Sequence, residues 1–232
     1  MEVVELLLQD GRADPTADDN GAIRRASVHG RKEVVELLLQ DPRVDPVADN
    51  GAAIRWACFN GHLEVVKLLL GKNPAAASVL QNEPFRLACQ SGFIDVVKVL
   101  LQLEQVDPSD IDNEAIRLAS QNGHLDIVKL LLEDNRVDPS ARESHCIRFA
   151  SQNGHAEVVK FLLGDERASQ VDPSARDSYS LRSASHNGYS EIVKLLLQDG
   201  RADPTADDNA AIRLATEKGH TDVVRLLKAH RK

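Results

Sequence analysis

The chain has 232 residues and a formal net charge of −8, with 36 acidic against 28 basic side chains, which argues against the basic footprint of a nucleic-acid or acidic-membrane binder. Its apolar share is 42% but its aromatic share only 3%, so buried area has to come from Leu, Val, Ile and Ala in thin layers of packed helices. No window reaches the roughly 18 consecutive apolar residues of a membrane span. The start Met1-Glu2-Val3-Val4-Glu5 carries acids where a signal peptide needs bases, and three cysteines are too few for a disulfide framework. The expected class is a soluble, intracellular, cytoplasmic, all-α protein.

The first predicted element is a helix over residues 2–9 in a half repeat, 1–19, with no partner helix ahead of it. A terminal repeat should turn a polar face outward, yet Val3, Val4, Leu6, Leu7 and Leu8 are apolar. Two readings stay open: a fragment of a longer array, or a homodimer covering residues 2–9. From residue 20 a period takes over. Ile-Arg recurs at Arg24, Arg55, Arg117, Arg148 and Arg213, with Phe85-Arg86 and Leu181-Arg182 filling the gaps, at spacings of 31, 31, 31, 31, 34 and 31. Full repeats are expected at 20–50, 51–81, 82–112, 113–143, 144–177 and 178–208, with a capping repeat at 209–232. In each, an Ala follows the Arg by two residues and a Gly follows that Ala by four: Gly30, Gly61, Gly92, Gly123, Gly154, Gly188 and Gly219. That Gly predicts the left-handed end of a first helix of about two turns.

A second helix follows each Gly, as in Leu63-Glu64-Val65-Val66-Lys67-Leu68-Leu69-Leu70, with acid–base pairs such as Glu64/Lys67 and Asp222/Arg225 on its wet face. Asp-Pro then breaks the chain at Pro15, Pro46, Pro108, Pro139, Pro173 and Pro204, predicting a loop. Two loops depart: 71–82 lacks Asp-Pro, and 164–171 holds a three-residue insertion. Either is read as tolerated surface variation or as a partner contact. Residues 6–27 repeat residues 195–216 at 19 of 22 positions, as recent duplication would leave them. The end, Lys228-Ala229-His230-Arg231-Lys232, places bases where they offset a helix dipole.

A helix–turn–helix–loop unit of this size buries its apolar face only by stacking on copies of itself. The array resembles the ankyrin-repeat family over essentially its whole length: Gly-His stands at His62, His124, His155 and His220, followed by Val-Val or Ile-Val and Leu-Leu. It departs from the family's Thr-Pro-Leu-His opening, because the His slot is always Arg and only Pro84 keeps the Pro. This Ile-Arg form resembles the expanded arrays of protists, fungi and giant DNA viruses. Its shorter loop implies a tight turn in place of the family's β-hairpin finger. The resemblance implies an all-α ankyrin solenoid that is a non-enzymatic protein–protein interaction module. The alternative is a structural scaffold that self-associates through its uncapped N-terminal face.

The seven-fold Arg column (Arg24, Arg55, Arg86, Arg117, Arg148, Arg182, Arg213) has two readings. It is an anion track, or each Arg ties loop carbonyls or a loop acid such as Asp112, Glu143, Asp177 or Asp208. In the family the two residues before the Gly line the partner groove. Here that implies Phe59, Asn60, Gln90, Ser91, Gln121, Asn122, Gln152, Asn153, His186 and Asn187, flanked by Val28/His29 and Glu217/Lys218. The row is rich in amides, and the loop tips, as at Asp18-Asp19-Asn20, are acidic. The expected partner is a polar or basic protein segment. Trp56 shares the slot of Leu87, Leu118 and Leu214 and is expected in the core.

The Gly-His histidines hold loops in the family, and no metal or cofactor is expected. Cys58 and His62 stand at ligand-like spacing but have no further ligands. Cys58 and Cys89 share a small-residue packing slot with Ser27, Ser120, Ser151, Ser185 and Thr216. Nothing activates Cys146. No phosphate loop, nucleophile elbow or paired-carboxylate motif is present.

Overall fold

The computed structural model describes residues 2–11 and 13–230. Met1, Arg12, Arg231 and Lys232 lie outside them, and with them two of the expected C-terminal bases. Among the described residues the chain is all-helical, with no strand. It divides into two compact units, residues 1–110 and 111–232.

First helices are α2 (Ala17–Val28), α4 (Ala48–Phe59), α6 (Val79–Ser91), α8 (Asp110–Gln121), α10 (Ala141–Asn153), α12 (Ala175–Asn187) and α14 (Ala206–Glu217). Second helices are α1 (Glu2–Gln9), α3 (Lys32–Leu38), α5 (Leu63–Lys72), α7 (Ile94–Leu101), α9 (Leu125–Leu131), α11 (Ala156–Gly164), α13 (Ser190–Asp199) and α15 (Thr221–His230). Within the first unit α2, α4 and α6 stack on one another, as do α3, α5 and α7. Within the second, α10, α12 and α14 form one row and α9, α11, α13 and α15 the other.

The period explains the packing. The residue before the Arg (Ile23, Ile54, Phe85, Ile116, Ile147, Leu181) is fully buried, each side chain contributing about 1.5–3 kcal/mol of apolar burial. The Ala two residues after the Arg and the small residue that follows it (Ser27, Cys58, Cys89, Ser120, Ser151, Ser185) are buried where first helices approach. On the second helices Val-Val or Ile-Val and a Leu turn inward, as in Val65, Val66 and Leu69. The wet-face pairs Glu64/Lys67 and Asp222/Arg225 close at 2.8 and 3.4 Å.

One feature of every first helix was not expected from the residue pattern. Each opens on three consecutive left-handed residues: Asp18–Asn20, Asp49–Gly51, Leu80–Asn82, Ile111–Asn113, Arg142–Ser144, Arg176–Ser178 and Asp207–Asn209. For side chains other than Gly this geometry costs roughly 1–2 kcal/mol per residue, so something must hold it. The third residue supplies part of the hold. Its side-chain oxygen accepts the amide of the following loop's Asp, the one before Pro: Asn20 from Asp45 at 2.8 Å, Asn113 from Asp138 at 2.7 Å, Ser144 from Asp172 at 2.8 Å and Ser178 from Asp203 at 2.7 Å. The carboxylate of that Asp folds over the residue two further on, as when Asp138 Oδ1 accepts both the amide and the hydroxyl of Ser140.

The helix-closing Gly has a second reason to be Gly. At Gly61 φ is +72°, and a Cβ there would stand 2.3 Å from the Phe93 ring that the next repeat lays across it. The two irregular loops become short 3₁₀ turns rather than plain coil. Pro74–Ser78 is capped by the Asn73 side chain and buries Ala76 and Ala77, and Glu166–Ala168 is capped by Asp165 and buries Ala168.

Candidate functional site

The left-handed turns determine what the Arg column does. Nε of Arg24, Arg117 and Arg148 donates to the carbonyls of Asp19, Asp112 and Glu143 at 3.0, 3.0 and 2.7 Å. Their Nη2 atoms donate to Asp18, Ile111 and Arg142. Arg55, Arg86, Arg182 and Arg213 reach the matching carbonyls of Asp49, Leu80, Arg176 and Asp207. A planar guanidinium spans two successive carbonyls, which a lysine cannot do with one nitrogen. Three column arginines also meet an acid at the start of the next first helix: Arg24–Asp49 at 2.9 Å, Arg55–Glu83 at 3.4 Å, and Arg182–Asp207. Asp112 and Glu143 pair instead with Arg142 and Arg176.

The slot after the Gly joins repeats as well. Nε2 of His62, His155 and His220 lies 3.0, 2.9 and 3.0 Å from the carbonyls of Val28, Gln121 and His186 in the preceding repeats. Much of the amide row is committed to backbone carbonyls, of the preceding repeat or of its own helix. Asn153 and Asn187 donate to the carbonyls of Gln121 and Gln152 at 2.8 and 2.9 Å, and Asn60 and Asn122 to those of Trp56 and Leu118 at 2.9 Å. Gln90, Ser91, Gln121, Gln152 and His186 are half-buried on the same face.

Trp56 is not in the core. It is 45% exposed and meets Phe59, 37% exposed, edge to face with centroids 5.7 Å apart. Leu87, Leu118 and Leu214 in its slot are only half-buried, so the slot is a rim of the face, and an indole is too large to tuck beneath it. The exposed Arg25, paired with Asp18 at 2.7 Å, holds the same slot one repeat earlier.

The second unit carries a ring cluster that single positions in the sequence did not reveal. His145 stacks on Phe149 (3.9 Å, 16°), Phe149 lies 6.2 Å from Tyr179, and the Tyr179 hydroxyl donates to Gln152 Oε1 at 2.7 Å. The Arg148 guanidinium sits 5.6 and 5.7 Å from the Phe149 and Tyr179 rings. Burial, reinforced by the charges of Arg117, Arg148, Arg142 and Arg176, pushes the His145 imidazole down to about 4. The signal lay in register: His145 and Tyr179 occupy one repeat position, three residues before the column Arg. Beside them opens a cleft of about 410 Å³ lined by Gln152, Tyr179, Arg182, Ser183, His186 and Leu214, with Asn187 at its edge.

Cys58, Cys89 and Cys146 are free and buried, and burial raises all three thiols, Cys146 to about 12. Among the described residues no group of three or more His, Cys, Asp or Glu is placed to hold a metal. No helix among them is long and apolar enough to cross a membrane.

Residues 54–143 and 147–232 match the family described as ankyrin repeats (3 copies), and residues 22–70 match that described as ankyrin repeats (many copies). No curated protein sequence matches the chain significantly. Among solved structures, the human ASB11 ankyrin repeat domain is similar with a TM-score of 0.71 and 24% identity, over 90% of this chain and 96% of that one, a likeness of fold.

Proposed function

Because the chain belongs to the ankyrin-repeat family, whose members generally mediate protein–protein interaction, we propose that its first-helix face binds a protein partner and that it performs no catalysis. The observation that carries this reading is the exposed Trp56–Phe59 pair. A soluble surface seldom spends two large rings on water, and aromatic anchors dominate interface energetics. The loop-tip acids of the same unit, Asp18, Asp19 and Asp49, favour a polar or basic segment there. Phe59 and Asn60 are the centre of that contact, with Gln90 and Ser91 at its edge. In the second unit Gln121, Asn122, Gln152, Asn153, His186 and Asn187 form the corresponding row. The repeats act as 20–50, 51–81, 82–112, 113–143, 144–177 and 178–208, between a half repeat 1–19 and a cap 209–232. Three unpaired thiols suit an intracellular setting.

Trp56 is the chain's only tryptophan, so it reports its own burial. Titration with lysine-rich and glutamate-rich peptides should shift its emission to the blue with the basic peptide. Phe59→Ala should weaken that binding about tenfold, the loss of one aromatic anchor. Equal response to both peptides sinks the charge preference, and no response to either sinks the contact.

A second reading has its own observation. Val3, Leu6 and Leu7 on α1 are 69%, 60% and 51% exposed, an apolar strip that self-association would cover. Sedimentation checks it: a concentration-dependent dimer abolished by Leu6→Glu with Leu7→Glu supports it, and a monomer at high concentration removes it.

A further inference from the structure

The Arg column is not uniform, and its exceptions, Arg117 and Arg148, lie within the second unit. Arg24 and Arg182 meet an acid 25 residues on, Asp49 and Asp207, and Arg55 meets one 28 residues on, Glu83. From Arg148 the equivalent positions, counting the three-residue insertion, hold Arg176 and Tyr179. A cation and a ring stand there, as Arg142 and His145 do for Arg117, where Arg24, Arg55 and Arg182 meet a carboxylate. The nearest acid of its own turn, Glu143, is taken by Arg176. Arg148 is nevertheless only 4% exposed. Its Nε and Nη2 are spent on the carbonyls of Glu143 and Arg142, and Nη1 makes no hydrogen bond among the described residues.

Two further observations favour an anion at the same place. His145 Nδ1 is buried with no partner, although buried polar atoms are nearly always paired. Arg117, Arg142, Arg148 and Arg176 all act on that ring, so the local field is positive within a chain of net charge −8. The ring walls of Phe149 and Tyr179 exclude water from Arg148, which strengthens its pull on a carboxylate. An apolar lining and the amide of Gln152 continue into the adjoining cleft of about 410 Å³.

We propose that the first-helix face of the second unit takes an acidic protein segment, a glutamate or aspartate side chain meeting Arg148 beside the His145, Phe149 and Tyr179 rings and a neighbouring aliphatic side chain entering the cleft. This rests on the reading that first-helix faces bind partners, and it assigns the second unit a partner charge opposite to that of the first. A nucleic acid is disfavoured by the overall negative charge, since its binding draws on many phosphate contacts, and the carboxylate needs only the one open guanidinium nitrogen.

The test uses the full chain and three end-blocked peptides of alternating residues, Glu-Leu, Gln-Leu and Lys-Leu, followed by fluorescence anisotropy at 50 and 300 mM salt. Glu-Leu should bind at least tenfold more tightly than Gln-Leu, and the advantage should shrink at the higher salt. Tyr179→Glu places a carboxylate of the chain itself over Arg148. It should cut Glu-Leu affinity about tenfold while leaving the thermal midpoint equal or higher, a readout that does not depend on Arg148 variants folding. Equal binding of Glu-Leu and Gln-Leu overturns the proposal. So does binding of Glu-Leu that Phe59→Ala abolishes and Tyr179→Glu leaves alone, an outcome that keeps the wider reading of the face intact. Failure of all three peptides defeats both.

Discussion

At the scale of the residue, the column arginine is a structural clasp before it is anything else. Arg117 is 8% exposed and holds two carbonyls of a turn that no helix geometry satisfies. Arg117→Lys keeps the charge but not the fork, so urea unfolding should show a loss of about 1–3 kcal/mol, the cost of leaving a buried acceptor unpaired. His145 gives the pH dependence. Its folded-state value is pushed down to about 4 from an ordinary 6.5 by burial and then by Arg117, Arg148, Arg142 and Arg176. Between those two values the unfolded chain binds the proton that the folded chain refuses, so stability falls as pH falls through that window. The urea midpoint should drop between pH 7 and pH 5, and His145→Phe, which keeps the stack on Phe149, should flatten that drop. An unchanged slope in the variant rules out His145 as its source. The carboxylates act lower: Asp41, clasped by the Arg43 side chain and amide, is held down at about 2 and stays charged throughout.

At the scale of the element, the helix pair was legible and the turn that opens it was not. Ile, Ala and Gly at fixed spacing mark a face and an end, because burial and positive φ restrict those slots to few residue types. The left-handed triplet leaves a weaker mark, because acids and amides are common in any loop. Its first slot holds acidic, apolar and basic residues in turn: Asp18, Asp49, Leu80, Ile111, Arg142, Arg176 and Asp207. The second slot, Asp19, Asn50, Gln81, Asp112, Glu143, Asp177 and Asp208, is always an acid or an amide, and the third, Asn20, Gly51, Asn82, Asn113, Ser144, Ser178 and Asn209, is restricted to small residues that tolerate the geometry or bond across it. Trp56 was misplaced for a related reason: its slot is apolar in most repeats, but apolar rim and apolar core read alike without coordinates. Gln81 is exposed at φ +55°, so Gln81→Gly removes strain without removing burial and should stabilise by roughly 0.5–1 kcal/mol. Gly61→Ala should do the reverse, losing about 2–4 kcal/mol as the left-handed cost and the Phe93 ring combine. Thermal melts of the two variants should move in opposite directions.

At the scale of the whole molecule, the near-identical stretches 6–27 and 195–216 form an internal experiment on context. Leu7 and Leu196 stand at equivalent places in them, each in a Leu-Leu-Leu-Gln-Asp-Gly run. Leu196 is fully buried between neighbours of α13, whereas Leu7 on α1 is 51% exposed. Local propensity is the same at both, so any difference in mutational cost belongs to stacking, the nearest-neighbour coupling that gives repeat arrays their stability. Leu196→Ala should cost about 2–5 kcal/mol, the range for emptying a buried leucine site. Leu7→Ala should stay within about 0.5 kcal/mol for the monomer, as exposed substitutions do. The two variants should be compared by urea unfolding at several protein concentrations. If α1 is covered by a second copy, the cost of Leu7→Ala will grow with concentration while that of Leu196→Ala will not, because only the former then includes an association term. A concentration-independent, near-zero effect at Leu7 removes self-association through α1 and leaves the first-helix faces, with Trp56 and Phe59 on one unit and the Arg148 cluster on the other, as the surfaces proposed for partners.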